Sequence, residues 1–208
     1  MQTNLEVANS ALYDINVEPI TCLDDPSKPA RVIKAKFQGV IDEVMSTNDW
    51  NCNREYTLLN YASVNNLYGW EYAFTVPNDC LYVRAIAPID SMSALTPETI
   101  KRLTGYSMTQ DSSRLYMKKG KYIFTNAPQV LLVYSRRVKD CSELPAYVAK
   151  AVAKCLASEI AYAITQDRQI RADQIGLYDA ALRSARAANA REENIYVPIS
   201  SLITSREG

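Results

Sequence analysis

Residues 122–165, YIFTNAPQVLLVYSRRVKDCSELPAYVAKAVAKCLASEIAYAIT, change their hydrophobic period partway along, and that change decides the fold class. Up to Val138 the stretch consists of short runs rich in Tyr, Val and Ile, broken by Asn and Pro, as β-strands are. Beyond it Leu144-Pro145 opens a helix. Val148, Val152, Cys155, Leu156, Ile160, Ala163 and Ile164 then share one face at helical spacing. Towards the N-terminus the strand pattern persists back to Trp50, through REYTLLNYA, WEYAFTV, LYVRAIAPI, RLYMKK, KYIFTN and VLLVYSRRV. Asn, Gly, Pro and Asp separate these runs, which suits an antiparallel sheet, and Lys119-Gly120 is predicted as a tight hairpin turn. Residues 91–113 read as a surface loop with a helical turn at Pro97–Leu103.

Helices flank the strands. Thr3 and Glu6 have the spacing of a capping box, and Leu5, Ala8, Leu12 and Ile15 form one apolar face that stops before Pro19. After DDPSKPA, where Asp25 or Ser27 can cap, Ile33, Phe37, Val40, Ile41 and Val44 make a second stripe, with Lys34, Lys36, Asp42 and Glu43 off its centre. A last helix is expected from Ala172 to Asn194, with Ile175, Tyr178, Ala181, Leu182 and Ala185 inward and Arg183, Arg186, Arg191 and Glu193 outside or flanking. The predicted fold is α+β: an antiparallel four-helix bundle (1–49 and 139–194), an inserted antiparallel β domain (50–138) and an extended tail (195–208).

Composition narrows the chemistry. Hydrophobic residues make up 48% and charged residues 22%, as in a folded chain. Lys plus Arg equals Asp plus Glu at 23 each, so the basic excess of a phosphate-gripping protein is missing. His is absent, which removes the commonest general base and metal ligand. The five cysteines, Cys22, Cys52, Cys80, Cys141 and Cys155, form no C-x-x-C pair and read as reduced thiols of a protein made in a cytosol. No signal peptide is seen, and the run Val130–Tyr134 is too short to span a membrane. With no Gly-rich loop and no nucleophile–base pair, no catalytic, cofactor or metal residue is assigned.

Glu159 breaks the helical pattern, falling near the centre of an apolar stripe, where a carboxylate needs a partner. In a tight helical hairpin Tyr178 lies opposite, so the two are read as a structural polar pin; the alternative is a catalytic acid with a raised pKa. Tyrosine is abundant, 14 against 3 Phe and 2 Trp, and is concentrated in the strand region, which favours a sheet that meets a partner. Lys118, Lys119 and Lys121 make a small basic tip, with Tyr116 and Tyr122 beside them.

The order of these elements resembles the tail tubular protein A family, the head-to-tail adaptors of short-tailed phages. Three stretches carry the resemblance. EVANSALYDINVEPITCLDD with ARVIKAKFQGVIDEVMSTNDWNCN (6–25, 30–53) resembles the family's helix, acidic loop and long helix ending in an aromatic. WEYAFTVPNDCLYVRAI (70–86) resembles its strand, Pro, Asp and strand signature. The opening stretch 122–165 with YDAALRSARAANAREEN (178–194) resembles its closing hairpin and helical pair. Residues 88–113 and the tail depart from the pattern. The resemblance implies a bundle with an inserted β domain, forming a ring of twelve on the portal ring, with the tail nozzle below. DNA would pass through the channel without sequence-specific binding, and a neutral wall lets it slide. Expected portal contacts are Arg183, Arg186, Arg191 and the apolar tail residues Ile195, Tyr196, Val197, Ile199, Leu202 and Ile203. Expected nozzle or neighbour contacts are Tyr116, Lys118, Lys119, Lys121 and Tyr122. The location implied is the head–tail interface of a virion, with no membrane. Rival readings are a tail-associated peptidoglycan hydrolase using Glu159 or a loop carboxylate, and a related head-completion or portal-plug factor.

Overall fold

A computed structural model gives the fold and describes residues 2–64, 67–89 and 116–192. The described chain is α+β, with four α-helices and two antiparallel sheets.

Helix α1 (Asn4–Asp14) starts on the expected capping box. Thr3 Oγ1 accepts the Glu6 N–H at 3.3 Å, and the Glu6 carboxylate accepts the Thr3 N–H at 2.8 Å. It buries Val7, Ala8, Ala11 and Leu12, and Ile15 follows. The loop beyond is fixed by Asn9, whose amide accepts the Ile20 N–H at 2.9 Å and donates to the Ile20 carbonyl at 3.0 Å. Of the two proposed caps, Ser27 is the one at α2 (Lys28–Ser46), accepting the Ala30 N–H, and Asp25 fixes it by accepting the Ser27 N–H. The whole expected stripe of α2 is buried, with Met45 added. Next comes Trp50, wholly buried, its indole N–H donating to the Val44 carbonyl at 2.8 Å. A 3-10 turn at Asn51–Asn53 leads directly into the strands.

One sheet holds β1 (Arg54–Leu58), β7 (Gln129–Arg136) and β4 (Cys80–Ile89), in that order. The other runs β2 (Asn60–Tyr61), β3 (Tyr72–Thr75), β6 (Tyr122–Thr125), β5 (Met117–Lys119). Phe74 and Ile123 of the second sheet pack against Ile86, Leu132 and Tyr134 of the first. Strand β7 is buried continuously from Val130 to Ser135, which is why its sequence reads as an unbroken apolar run rather than an alternation. The β5–β6 turn is Gly120-Lys121, one residue later than expected, because Lys119 pairs with Tyr122 and Gly120 takes the positive φ of 59°. Residues 91–113, including the helical turn expected at 97–103, lie outside the described residues, as does the tail 195–208.

Helix α3 (Ala146–Thr165) follows a 3-10 turn at Cys141–Glu143. Helices α1 and α2 pack against it, as does α4 (Arg168–Glu192). That central position explains its many buried alanines, which let three neighbours approach. Ala163, expected inward, is exposed, while its neighbour Ile164 packs against the helical cluster. Helix α4 begins four residues earlier than expected, since Asp167 accepts the N–H groups of Gln169 and Ile170. Its inner stripe is also rotated. Ile175, expected inside, is 44% exposed, and Gln174 is 5% exposed in its place. The helical cluster includes Trp50, Val138 and Cys141 and is separate from the apolar cluster between the sheets.

Candidate assembly surfaces

Helix α4 is held by few apolar groups. Leu182 and Ala185 are buried in its middle, while polar side chains fasten its ends. Near the start, the Gln174 amide donates to the Asp14 carbonyl at 2.8 Å. Near the end, Asn189 accepts the Asn51 N–H at 2.9 Å and donates to the Asp49 carbonyl at 3.1 Å, and Asn51 donates back to the Asn189 carbonyl. One turn further, Tyr147 donates to Glu192 at 2.7 Å; burial and that carboxylate push the Tyr147 phenol upward. These pins escaped the sequence reading because Gln and Asn count as surface residues. Their signal was positional: 174, 178, 182, 185 and 189 continue one stripe at steps of four and three.

The outer side of α4 is broad and studded with arginine. Arg183 and Arg191 are exposed on it. Arg186 is exposed as well, but its guanidinium donates to the Thr47 carbonyl at 2.9 Å and so fastens α4 to the end of α2. Ile175 and Leu177 stand out at 44% and 47% exposure, and Tyr162 of α3 at 44%. Tyr162, Ile175, Ala172, Arg168 and Arg171 line an open groove at the α3–α4 turn. The remaining candidate portal residues, Ile195, Tyr196, Val197, Ile199, Leu202 and Ile203, lie outside the described residues.

The β5–β6 hairpin brings its candidates together. Lys118, Lys119 and Lys121 are exposed, Tyr116 packs at the edge of the intersheet cluster, and Tyr122 is half-buried. The Lys119 ammonium lies 4.0 Å from the Tyr68 ring centroid and donates to its hydroxyl at 2.9 Å, and Lys121 lies 5.4 Å from the Tyr122 ring. Lysines resting on tyrosine faces make a basic, aromatic tip.

Glu159 and Tyr178 do not form the expected pin. Glu159 pairs with Lys36 of α2 at 2.9 Å, both side chains partly in solvent, so it lies on the face of α3 that meets α2. The Tyr178 hydroxyl is buried without an oxygen or nitrogen partner and sits by the Cys155 thiol; burial pushes both groups up, the thiol to about 12. Among the described residues no group of three or more Cys, Asp or Glu side chains gathers as metal ligands would, and no helix is long and apolar enough to cross a membrane. No protein-family model matches the chain, and no curated protein matches it.

Proposed function

We propose that the chain is a structural head-to-tail adaptor of a short-tailed phage, a ring-forming subunit between the portal and the tail nozzle. The observation that carries this reading is α4: 25 residues attached along one narrow stripe, with arginines, Ile175 and Leu177 left on an open outer side. A helix with an outer side of that kind is built to be covered by another protein. The resemblance to the tail tubular protein A family supports the same reading, since its quoted stretches fall on α1, α2, β3, β4, β6, β7, α3 and α4.

On this reading the helices form an antiparallel bundle with 50–138 inserted at one end. Arg183, Arg191 and the tail from Ile195 meet the portal, while Lys118, Lys119, Lys121 and the neighbouring tyrosines meet the nozzle or an adjacent subunit. DNA slides past a wall of zero net charge. The test is electron microscopy of the purified protein mixed with the portal ring of its own phage. A twelve-subunit collar on one end of the portal is the expected image. A protein that stays monomeric and leaves the portal bare would sink the proposal.

A further inference from the structure

Polar contacts fix the direction of each helix. Asn4, at the start of α1, is bonded to Lys139 and Cys141 just ahead of α3. Asp14, at its end, pairs with Lys154 inside α3 at 2.7 Å and accepts from Gln174 near the start of α4 at 2.8 Å. Helix α2 returns: Lys36 in its first half meets Glu159 in the later half of α3, and Asn51, beyond its end, is bonded to Asn189 near the end of α4. The α1–α2 loop and the α3–α4 turn therefore lie at the same end of the helices, away from Asn51, where the chain enters the strands.

That end carries two surfaces of opposite character. The turn holds an open groove of about 430 Å³ with Tyr162 and Ile175 in its lining, each 44% exposed. Arg168 and Arg171 line it too, both exposed and without a hydrogen bond or ion pair among the described residues. They stand in the first turn of α4, where free backbone N–H groups already make the helix end positive and a cation is disfavoured. The nearby carboxylates are engaged elsewhere: Asp167 caps the helix, and Asp173 accepts from the Gln169 amide at 2.9 Å. Unpaired guanidiniums beside an apolar lining suit an acidic occupant with an apolar part.

The α1–α2 loop has that chemistry. Residues 16–27, NVEPITCLDDPS, hold three carboxylates and no Lys or Arg. Glu18 is exposed and unpaired among the described residues, with Pro19 and Cys22 exposed near it. Asp24 pairs with Lys34, but the two side chains are 78% and 67% exposed, and such a pair exchanges partners readily. In its own chain the loop is fastened by Asn9 and Lys34, and its residues are not among those that line the groove.

We propose that the α1–α2 loop of one copy seats in the α3–α4 groove of the next, Glu18 and Asp24 facing Arg168 and Arg171, with Pro19 and Cys22 against Tyr162 and Ile175. Surfaces that are complementary and not identical join copies head to tail, in chains or closed rings. The contact stands apart from the adaptor reading; its closure into a ring under the portal rests on that reading.

Oxidative cross-linking of the full chain tests it. Ala172→Cys places a thiol in the groove, opposite Cys22 of the next copy. Oxidation is carried out on concentrated protein and on protein mixed with the portal ring of its own phage. The expected product in either sample is a disulfide ladder of dimers, trimers and longer species, absent in Ala172→Cys/Cys22→Ser. Adding Arg168→Glu/Arg171→Glu, which suits the helix start, lowers the cross-linked fraction about tenfold, and further adding Glu18→Arg/Asp24→Arg restores it. All these positions are exposed, and an unchanged melting temperature confirms the fold of each variant. No ladder in either sample overturns the contact. So do dimers alone, species that survive Cys22→Ser, a disulfide closed within one chain, or a ladder indifferent to charge reversal. A collar on the portal without a ladder removes this contact and leaves the adaptor reading standing; a ladder without a collar does the reverse.

Discussion

The thiols of Cys141 and Cys155 lie in the helical core, where burial pushes each up to about 12 from an ordinary value near 8.5. A raised value means that the folded state prefers the protonated thiol. The stability this contributes is complete below the unfolded thiol's value and is lost as pH climbs from there towards 12. The melting temperature is therefore expected to hold up to about pH 8.5 and to fall beyond it. Cys141→Ala/Cys155→Ala makes that alkaline fall shallower, as a pH series of thermal scans reads directly. At pH 8 a thiol reagent modifies exposed Cys22 promptly, whereas Cys141 and Cys155 react only once the protein opens. Trp50 sets the other extreme at this scale. It is wholly buried, and its indole caps a carbonyl of α2, so Trp50→Ala costs about 3–5 kcal/mol, measurable by urea titration. The Lys36–Glu159 pair is partly solvated, and Lys36→Ala costs at most about 1 kcal/mol.

Among the four described helices, α4 buries the fewest apolar side chains, and its polar pins are where it is vulnerable. Asn189→Ala removes two hydrogen bonds and leaves the Asn51 N–H and the Asp49 carbonyl without their partner, a loss of about 2 kcal/mol. Exchange at residues 186–192 is expected to quicken while α3 is unchanged; equal quickening in α3 would mean that the two helices open as one unit. The same helix shows where the sequence was legible and where it was not. The stripe of α2 was readable apart from Ala30 and Met45 because every inward residue is apolar and the outward face is mostly polar. In α4 the inward stripe is capped by Gln174 and Asn189, so an apolarity count rotates it and takes Ile175 as internal. The partner of Glu159 was hidden for a different reason. It depends on how α2 lies along α3, a relation between distant segments that local periodicity does not encode. Turn geometry was nearly readable, in error by one residue, because Gly120 supplies the positive φ while Lys121 follows it in the turn. Gly120→Ala forces that backbone on a residue with a Cβ and costs about 1 kcal/mol, visible as faster exchange at Met117–Thr125 with the helices unaffected.

At the scale of the whole molecule polar groups join the helical and strand clusters, and Arg84 is the centre of the join. Its side chain, on β4, is 5% exposed. The Nε donates to Ser135 Oγ at 2.7 Å, and Nη2 donates to the Trp50 carbonyl at 2.7 Å and to Asn53 Oδ1 at 2.9 Å. One guanidinium thus ties the three-stranded sheet to the residues that follow α2, and Tyr82 reinforces it by donating to Asp49 at 2.5 Å. Burial pulls the Arg84 pKa down from its ordinary value, but the group titrates so high that it stays charged at neutral pH. Arg84→Ala strands several buried acceptors at the join, a loss of about 2–4 kcal/mol. Because each cluster keeps its own core, the consequence is a change of cooperativity as well as of stability. The unaltered protein is expected to unfold in one urea transition, and the Arg84→Ala protein in two, the strands exchanging at lower urea than α3. Arg84→Lys keeps the charge without the planar fork and falls between the two. A single transition in Arg84→Ala, shifted but unsplit, would show that the clusters are coupled by the packing around Trp50 and Val138 and not by the guanidinium.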